Sequence, residues 1–205
     1  RSRIVVAGGS LTEIVYLLGN EKKLVGVDVT SKHPKAAKML PSIGYVRNLS
    51  SEGLLSLMPS LILAEEDIGP PTVIEQLNKT SVELKIINDD YNMHGILNKI
   101  NCIASILDIS KNNFLQISDD INLKLKEIEK FKLNMKGKSK KVLIILMMRG
   151  TSPIVAGNNT SGHGFISSLG LKNVMEQVKG WKPVSKEEII LSDPHYVIVT
   201  KRAML

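Results

Sequence analysis

The chain has 205 residues, a formal net charge of +7, 43% hydrophobic residues and 4% aromatic residues. Its length allows one large domain or two small ones, and no apolar run approaches the roughly 20 residues of a membrane-spanning helix. Single-stranded nucleic acid binds by stacking on aromatic side chains, which are scarce here, and the lysines are scattered apart from Lys136, Lys138, Lys140 and Lys141, so we predict no nucleic-acid partner.

Strand and helix patterns alternate through the first half of the chain. Arg1 leads almost directly into an apolar strand with no signal peptide, so we expect an exported protein to have lost its targeting segment. Gly8 and Gly9 turn the chain, and the spacing of Ser10 and Glu13 predicts a capping box at the start of a helix. Further strands are predicted over 24–27, 61–64 and 82–87, and further helices over 52–57, 72–78 and 96–107. Repeated strand–helix pairs predict a parallel sheet covered on both faces.

A long polar helix is predicted from Ser110 to about residue 132. Apolar residues recur along it at steps of three and four: Phe114, Ile117, Ile121, Leu125 and Ile128. About 23 residues span roughly 35 Å at 1.5 Å per residue, a length that suits a strut between two lobes. An ordinary surface helix has the same pattern.

Strand and helix patterns resume after the long helix. Strands are predicted over 141–147 and 196–200, and helices over 165–169 and 187–190. We therefore predict an α/β protein with two Rossmann-like α/β lobes, residues 1–109 and 135–205, joined by one long helix, residues 110–134. The second lobe has too few elements for a full sheet, and we predict that it is incomplete.

The run LPSIGYVRNLS at residues 40–50 holds the strongest candidate site, because one of the four tyrosines of the chain, Tyr45, lies two residues from Arg47. If the run is extended, these two side chains point the same way. A cation beside a phenol favours the phenolate and lowers the phenol pKa from about 10. Phenolate is a hard ligand that suits Fe(III), alone or in haem. A surface loop whose tyrosine packs on a neighbour is the alternative.

Other polar features of the sequence have simpler explanations. Gly8 and Gly9 lack the spacing of a nucleotide-binding loop. The acidic run from Glu65 to Asp67 lacks the spacing of a calcium loop, and we expect it to be solvated. Cys102 cannot form an intrachain disulfide and is predicted to be a small buried residue of a helix.

A set of short motifs runs through the chain: AGGSLTEI at 7–14, LVGVD at 24–28, LPSIGYVR at 40–47, LSSEG at 49–53, Pro59 and GPP at 69–71. Together they resemble the helix-hinged substrate-binding proteins of bacterial ABC importers for siderophores, cobalamin and haem. The first two motifs are similar to the first two strand–turn segments of that superfamily, and the others are similar to its haem-binding branch. The resemblance covers nearly the whole chain, is weakest over 151–182, and lacks the last strand and helices of the family.

The resemblance implies that Tyr45 is a haem-iron ligand and that Arg47 assists it, unless Arg47 pairs with a haem propionate instead. In a cleft between two lobes, His163, which we expect in a flexible loop, is the candidate for a second iron ligand. Arg149 is a candidate propionate partner. Docking to the permease is expected through Glu187 in the second lobe and Glu75 in the first.

We therefore expect a periplasmic solute-binding protein, and not an enzyme, that captures ferric haem between two lobes. It would deliver haem to an ABC importer permease with its ATPase, downstream of an outer-membrane haem receptor. The alternatives are a siderophore or cobalamin carrier of the same superfamily, and an α/β metalloprotein or enzyme.

Overall fold

The computed structural model describes residues 2–135 and 140–204. Lys136 and Lys138 of the lysine run, and the outermost residues 1 and 205 of the predicted lobes, lie outside the described residues. The chain forms two compact units, Arg1–Asp89 with Asn98–Ser118 and Asp90–Leu97 with Asp119–Leu205. Both contain helices and a sheet, which confirms the predicted α/β class. The predicted boundaries at 109/110 and 134/135 stay a prediction.

The first unit is built on four parallel strands, β1 (Ile4–Ala7), β2 (Leu24–Val27), β3 (Leu61–Glu65) and β4 (Glu83–Ile87). Their order in the sheet is β2-β1-β3-β4. The helices are α1 (Gly9–Leu17), α2 (Ser51–Ser56), α3 (Pro71–Leu77), α4 (Met93–Ile106) and α5 (Lys111–Asn134). Residues of α4 and α5 belong to both units. All of β1 and the first four residues of β3 are buried, as expected for central strands of a parallel sheet.

One apolar cluster of the first unit fixes the loops at the carboxyl edge of the sheet. Alternate residues of β1 and β3 pack against the inner sides of α2 and α3 and against two loop residues, Val46 and Leu49. The cluster comprises Val5, Ala7, Val46, Leu49, Leu54, Ile62, Ala64, Ile68, Val73 and Leu77. The loops around residues 46 and 68 therefore share one core with the sheet.

The predicted long helix is confirmed as α5. None of its residues is buried. Its predicted N-cap, Ser110, accepts a hydrogen bond from the Asn113 amide at 3.4 Å. None of the helices in the described ranges combines the length and the apolar character needed to cross a membrane.

The second unit is organised around one long strand, β5 (Lys141–Arg149). Its other strands are β6 (Ser152–Ala156), β7 (Lys172–Asn173), β8 (Trp181–Pro183) and β9 (Tyr196–Val199), and its helices are α6 (Ser161–Ser168) and α7 (Lys186–Ser192). β6 is antiparallel to β5 and to β8, whereas β7 and β9 are parallel to β5. Two apolar clusters, one around Ile144 and Ile166 and one around Leu143 and Met175, form the core.

Two local predictions are wrong. Ser10 does not cap α1, because its hydroxyl donates to Glu65 Oε1 and the N-cap position is Gly8. Cys102 is exposed, because the buried side of α4 is formed by Ile103 and its neighbours on the same helical stripe.

Candidate functional site

Tyr45 begins a tight turn rather than an extended segment. The Asn48 amide donates to the Tyr45 carbonyl at 2.8 Å, and Val46 and Arg47 occupy the two central positions of the turn. Tyr45 and Arg47 are therefore not alternate residues of an extended segment, which was the basis for expecting their side chains to point the same way. Tyr45 is 45% exposed, whereas Val46, at the next position, is 3% exposed. The turn thus sends one side chain into the core and holds the phenol at the surface.

The turn is fastened to the loop that follows β3. The Gly69 amide donates to the Val46 carbonyl, and the Leu49 amide donates to the Gly69 carbonyl, both at 2.9 Å. A Cβ on Gly69 would lie 3.2 Å from the Arg47 carbonyl oxygen, so a glycine permits this close approach of two backbones. With Val46 and Leu49 buried in the core, the turn is fixed at its second residue and at the residue that follows it.

A second anchor precedes Tyr45. Gly44 has a φ of +92°, a conformation that residues with a Cβ adopt only under strain. The carbonyl of Gly44 accepts a hydrogen bond from the Val29 amide at 2.9 Å. Tyr45 therefore emerges from a backbone held on both sides.

Asp67 connects the same two loops through side chains. Its Oδ2 accepts a hydrogen bond from Arg47 Nε at 2.7 Å, and 62% of the Arg47 side chain is exposed against 34% of the Asp67 side chain. The other carboxylate oxygen, Oδ1, is buried and accepts no hydrogen bond from any described residue. The guanidinium that we expected beside Tyr45 is thus held by a carboxylate.

A polar hub supports the β1–α1 turn at the carboxyl edge of the sheet. Asp28, which is 2% exposed, accepts hydrogen bonds from the Gly8 amide at 3.1 Å, from Thr30 and from the Ser31 hydroxyl at 2.7 Å. The Gly9 amide donates to Thr30 Oγ1 at 3.1 Å. The paired glycines therefore bring backbone amides against the end of β2.

A buried ionic network continues along this edge. Lys99, only 6% exposed, contacts Asp89 Oδ2 at 2.5 Å and Ser10 Oγ at 3.2 Å, and Ser10 Oγ donates to Glu65 Oε1 at 2.8 Å. Burial raises the pKa of Glu65; the Ser10 hydrogen bond and the Lys99 charge oppose the rise, whereas the charges of Asp67 and Asp28 add to it. The expectation that the run from Glu65 to Asp67 is solvated is wrong for Glu65, because Glu65 ends a buried strand.

Asp67, Lys99 and Glu65 are members of this site that were not predicted from the sequence. Lys99 had a readable signal, because it lies four residues before Ile103 and therefore on the apolar stripe of α4. The sequence holds no such signal for Asp67, because Asp67 and its partner Arg47 are 20 residues apart in the chain.

The predicted site residues of the second unit occupy separate elements. Arg149 is the exposed last residue of β5 and is paired with Ser152 across a hairpin. His163 lies in the first turn of α6 and not in a flexible loop, because Thr160 Oγ1 caps this helix through the His163 amide. Its Nδ1 is 3.3 Å from Nδ2 of the buried Asn173. The roles of Arg149 and His163 stay predictions.

The two predicted docking residues are exposed on short helices. Glu75 lies on α3, and Glu187 lies in the first turn of α7 beside Glu188. Ser185 caps α7 by accepting a hydrogen bond from the Glu188 amide at 3.1 Å. Their role at a permease stays a prediction.

The chemistry available for a metal ion is limited. Over residues 2–135 and 140–204, no group of three or more histidine, cysteine, aspartate or glutamate side chains is arranged to hold a metal ion.

Residues 4–204 match the family described as periplasmic binding protein, so the chain belongs to this family. Its fold is also that of solved members. A periplasmic heme binding protein from Pseudomonas aeruginosa is 33% identical, with a TM-score of 0.85, and the alignment covers 97% of this chain and 71% of that one. The periplasmic heme-binding protein RhuT from Roseiflexus sp. RS-1, in apo form, is 30% identical with a TM-score of 0.88, covering 99% and 78%.

The curated sequence relatives include binding proteins of another kind. An uncharacterized ABC transporter substrate-binding lipoprotein, YvrC, from Bacillus subtilis strain 168 is 25% identical over 97% of this chain. A vitamin B12-binding protein from Pectobacterium atrosepticum is 23% identical over 96% of this chain. The chain spans 63% of the first relative and 71% of the second. These relatives, like the solved neighbours, are binding proteins.

Proposed function

We propose that this protein is an extracytoplasmic haem carrier in which the phenolate oxygen of Tyr45 binds ferric haem iron. The observation that carries the proposal is the Tyr45 turn: a half-exposed phenol on a backbone anchored to the core on both sides. The haem-binding proteins at 30–33% identity support haem as the cargo. A haem needs only an axial ligand from the protein, which suits a surface without a metal-binding cluster among its described residues.

The anchored turn suits iron ligation in physical terms. A ligand that is already in place loses little conformational freedom on binding, so more of the bond energy contributes to affinity. In this proposal Arg47 assists Tyr45 as the iron ligand or pairs with a haem propionate. In this proposal Arg149 pairs with a propionate and His163 is a second iron ligand.

Titration with ferric haem tests the proposal. The wild-type protein should shift the Soret band and saturate near one or two equivalents, with the absorption of a high-spin phenolate complex. Tyr45→Phe keeps the ring and removes the oxygen, so we expect loss of the phenolate absorption. The affinity should fall at least about 100-fold, beyond the 10–100-fold typical of a residue that only supports a ligand.

Tyr196→Phe is the matched control, because Tyr196 is 57% exposed on β9 and its hydroxyl has no role in the proposal. We expect this variant to bind haem as the wild type does. Absence of a Soret shift in the wild type would reject haem as the cargo, and an unchanged spectrum in Tyr45→Phe would reject Tyr45 as the ligand.

A cobalamin carrier is the second candidate, favoured by the vitamin B12-binding relative at 23% identity. Cobalamin carries its own cobalt ligands, so its binding should not depend on the Tyr45 oxygen. Calorimetric titration with cyanocobalamin separates the two: binding that is equal in wild type and Tyr45→Phe, without haem binding, would select cobalamin.

The partners follow from the family. We propose that the protein works outside the cytoplasm, in the periplasm, without catalysing a reaction, and passes haem to an ABC permease with its ATPase. Glu187 and Glu75 are the proposed contacts with the permease, and an outer-membrane haem receptor would supply the cargo. The ABC transporter lipoprotein among the relatives supports the importer partner.

A further inference from the structure

We propose that Asn173 is a positioning residue that holds His163 in the tautomer with its proton on Nε2, so that His163 can bind iron only after the hydrogen bond between the two side chains breaks. The inference rests on the proposed function, in which His163 is a second iron ligand, and it adds a condition to that role. Asn173 itself does not touch the cargo. It acts on His163, whose Nδ1 lies 3.3 Å from Asn173 Nδ2.

The orientation of the Asn173 side-chain amide is fixed by two backbone groups. Asn173, on β7, is 2% exposed. Its Nδ2 donates to the Ala156 carbonyl at 2.8 Å, and its Oδ1 accepts a hydrogen bond from the Met175 amide at 3.0 Å. Both backbone groups belong to core residues of the second unit. A half-turn of the side-chain amide would set oxygen against a carbonyl and NH2 against an N–H, which is costly for buried groups. The atom that faces His163 is therefore the donor Nδ2.

A donor at this position fixes the tautomer of His163. In a neutral imidazole one ring nitrogen carries the proton and the other accepts a hydrogen bond. Asn173 has a second N–H to offer, so Nδ1 of His163 is the acceptor and the proton lies on Nε2. The other tautomer would set two N–H groups against each other. The backbone of His163 is fixed as well, because its amide donates at 3.1 Å to Oγ1 of Thr160, which is 2% exposed.

This tautomer has no ring nitrogen ready for iron. A histidine binds a metal through an unprotonated nitrogen, and its other nitrogen usually donates its proton to a carboxylate, a carbonyl or water. In His163 the unprotonated nitrogen is held by Asn173, and Nε2 carries the proton. Iron binding through Nε2 would move the proton to Nδ1 and break the hydrogen bond with Asn173.

Nitrogen NMR of the isotope-labelled protein tests the tautomer without any ligand. Under alkaline conditions imidazole side chains are neutral, and the ring nitrogen without a proton resonates at a much higher frequency than the protonated one. We expect the proton of His163 on Nε2, with the signals assigned by their loss in His163→Ala. His195 is an internal reference for this tautomer, because the Lys141 backbone amide donates to its Nδ1 at 3.0 Å. A proton on Nδ1 of His163 would overturn the inference.

Asn173→Asp tests the control over iron binding. A carboxylate accepts a hydrogen bond from Nδ1–H, so the variant should adopt the other tautomer and leave Nε2 free to bind iron. With ferric haem, we expect the EPR signal that His163→Ala removes to be at least about 10-fold larger in Asn173→Asp than in wild type.

Asn158→Asp is the matched control. It also removes an amide donor from a backbone carbonyl of the second unit, since Asn158 Nδ2 donates to the Glu176 carbonyl at 2.8 Å. This variant should keep the tautomer of His163 and the haem spectrum of wild type.

The outcomes are distinguishable from those of the proposed function. If wild type binds ferric haem through Tyr45 and the signal that depends on His163 is no larger in Asn173→Asp, control by Asn173 is rejected and the haem carrier stands. If Asn173→Asp does not fold, the tautomer measured in wild type decides. If wild type binds no haem, the proposed function fails, and the NMR result by itself confirms or rejects the tautomer set by Asn173.

Discussion

Glu65 is a partly buried carboxyl that makes the stability of the carboxyl edge of the first sheet depend on pH. Its side chain lies so close to the β1–α1 turn that a Cβ on Gly8 would come within 2.5 Å of Glu65 Cγ. Burial raises its pKa in the folded state. A raised folded-state pKa contributes stability that is complete below the unfolded-state value, near 4.3, and is lost as the pH rises through the folded-state value.

Glu65→Gln should therefore change the pH profile of stability. Glutamine keeps an oxygen that accepts the Ser10 hydrogen bond and has no charge to bury. We expect the variant to gain stability relative to wild type as the pH rises from 4 to 8, by about 1.4 kcal/mol for each unit by which the wild-type pKa is raised. Urea midpoints measured across this range give the difference.

Glu13→Gln is the control for this substitution, because Glu13 is exposed on α1. The variant should show the same pH profile as wild type. A difference between Glu65→Gln and wild type that is constant from pH 4 to pH 8 would contradict a raised pKa at Glu65.

Among the elements, the turn that carries Tyr45 depends most on one backbone conformation. Gly44 has room for a side chain, since the nearest atom to an added Cβ is 3.9 Å away, but its φ is +92°. Gly44→Ala should therefore lose about 1–3 kcal/mol through backbone strain alone. Relief of that strain would move the next residue, Tyr45, so we also expect weaker ferric haem binding. Urea unfolding and haem titration measure the two effects.

Gly53→Ala is the matched glycine substitution. Gly53 lies in α2, where an added Cβ meets nothing closer than 3.7 Å, and alanine in a helix is favoured over glycine by roughly 0.5–1 kcal/mol. This variant should be more stable than wild type and bind haem normally. Gly44→Ala with wild-type stability would show that the turn tolerates another conformation.

Elements fixed by local pattern could be predicted, and those fixed by distant contacts could not. The apolar runs of β1 and β3 and the uninterrupted periodicity of α5 predict those elements within a few residues. In β6, Pro153 interrupts the strand pattern, and β7 has only two residues. At the site, the run at residues 40–50 pointed to Tyr45 as a candidate ligand. The turn at Val46 and Arg47 could not be predicted from it, because that turn depends on Gly69, more than 20 residues away.

In the whole molecule, the net charge and the charge of the proposed docking residues have opposite signs. The net charge of +7 favours an anionic cargo such as haem with its two carboxylates. The proposed permease contacts are instead acidic, one on each unit: Glu75 on α3 and Glu187 on α7. Acidic side chains on a basic molecule can direct docking only where they lie close to basic residues of the partner protein.

Reversal of the docking charges should separate delivery from capture. Glu75→Lys with Glu187→Lys would place like charges against a basic permease surface, and loss of one buried hydrogen-bonded charge pair costs about 2–5 kcal/mol. We therefore expect association with the permease complex in vesicles to weaken at least about 30-fold, whereas ferric haem affinity stays at the wild-type value. Carrier-stimulated ATP hydrolysis reports the association.

Glu188→Lys shows whether docking depends on the charge of residue 187 in particular or on the charge of this surface in general. Glu188 is exposed in the same first turn of α7 as Glu187, so both reversals remove one favourable charge from the helix N-terminus and cost similar stability. If docking requires Glu187 itself, Glu188→Lys stimulates the ATPase nearly as wild type does, and Glu187→Lys does not. Equal losses from both reversals would mean that the permease responds to the net charge of this surface and not to one residue.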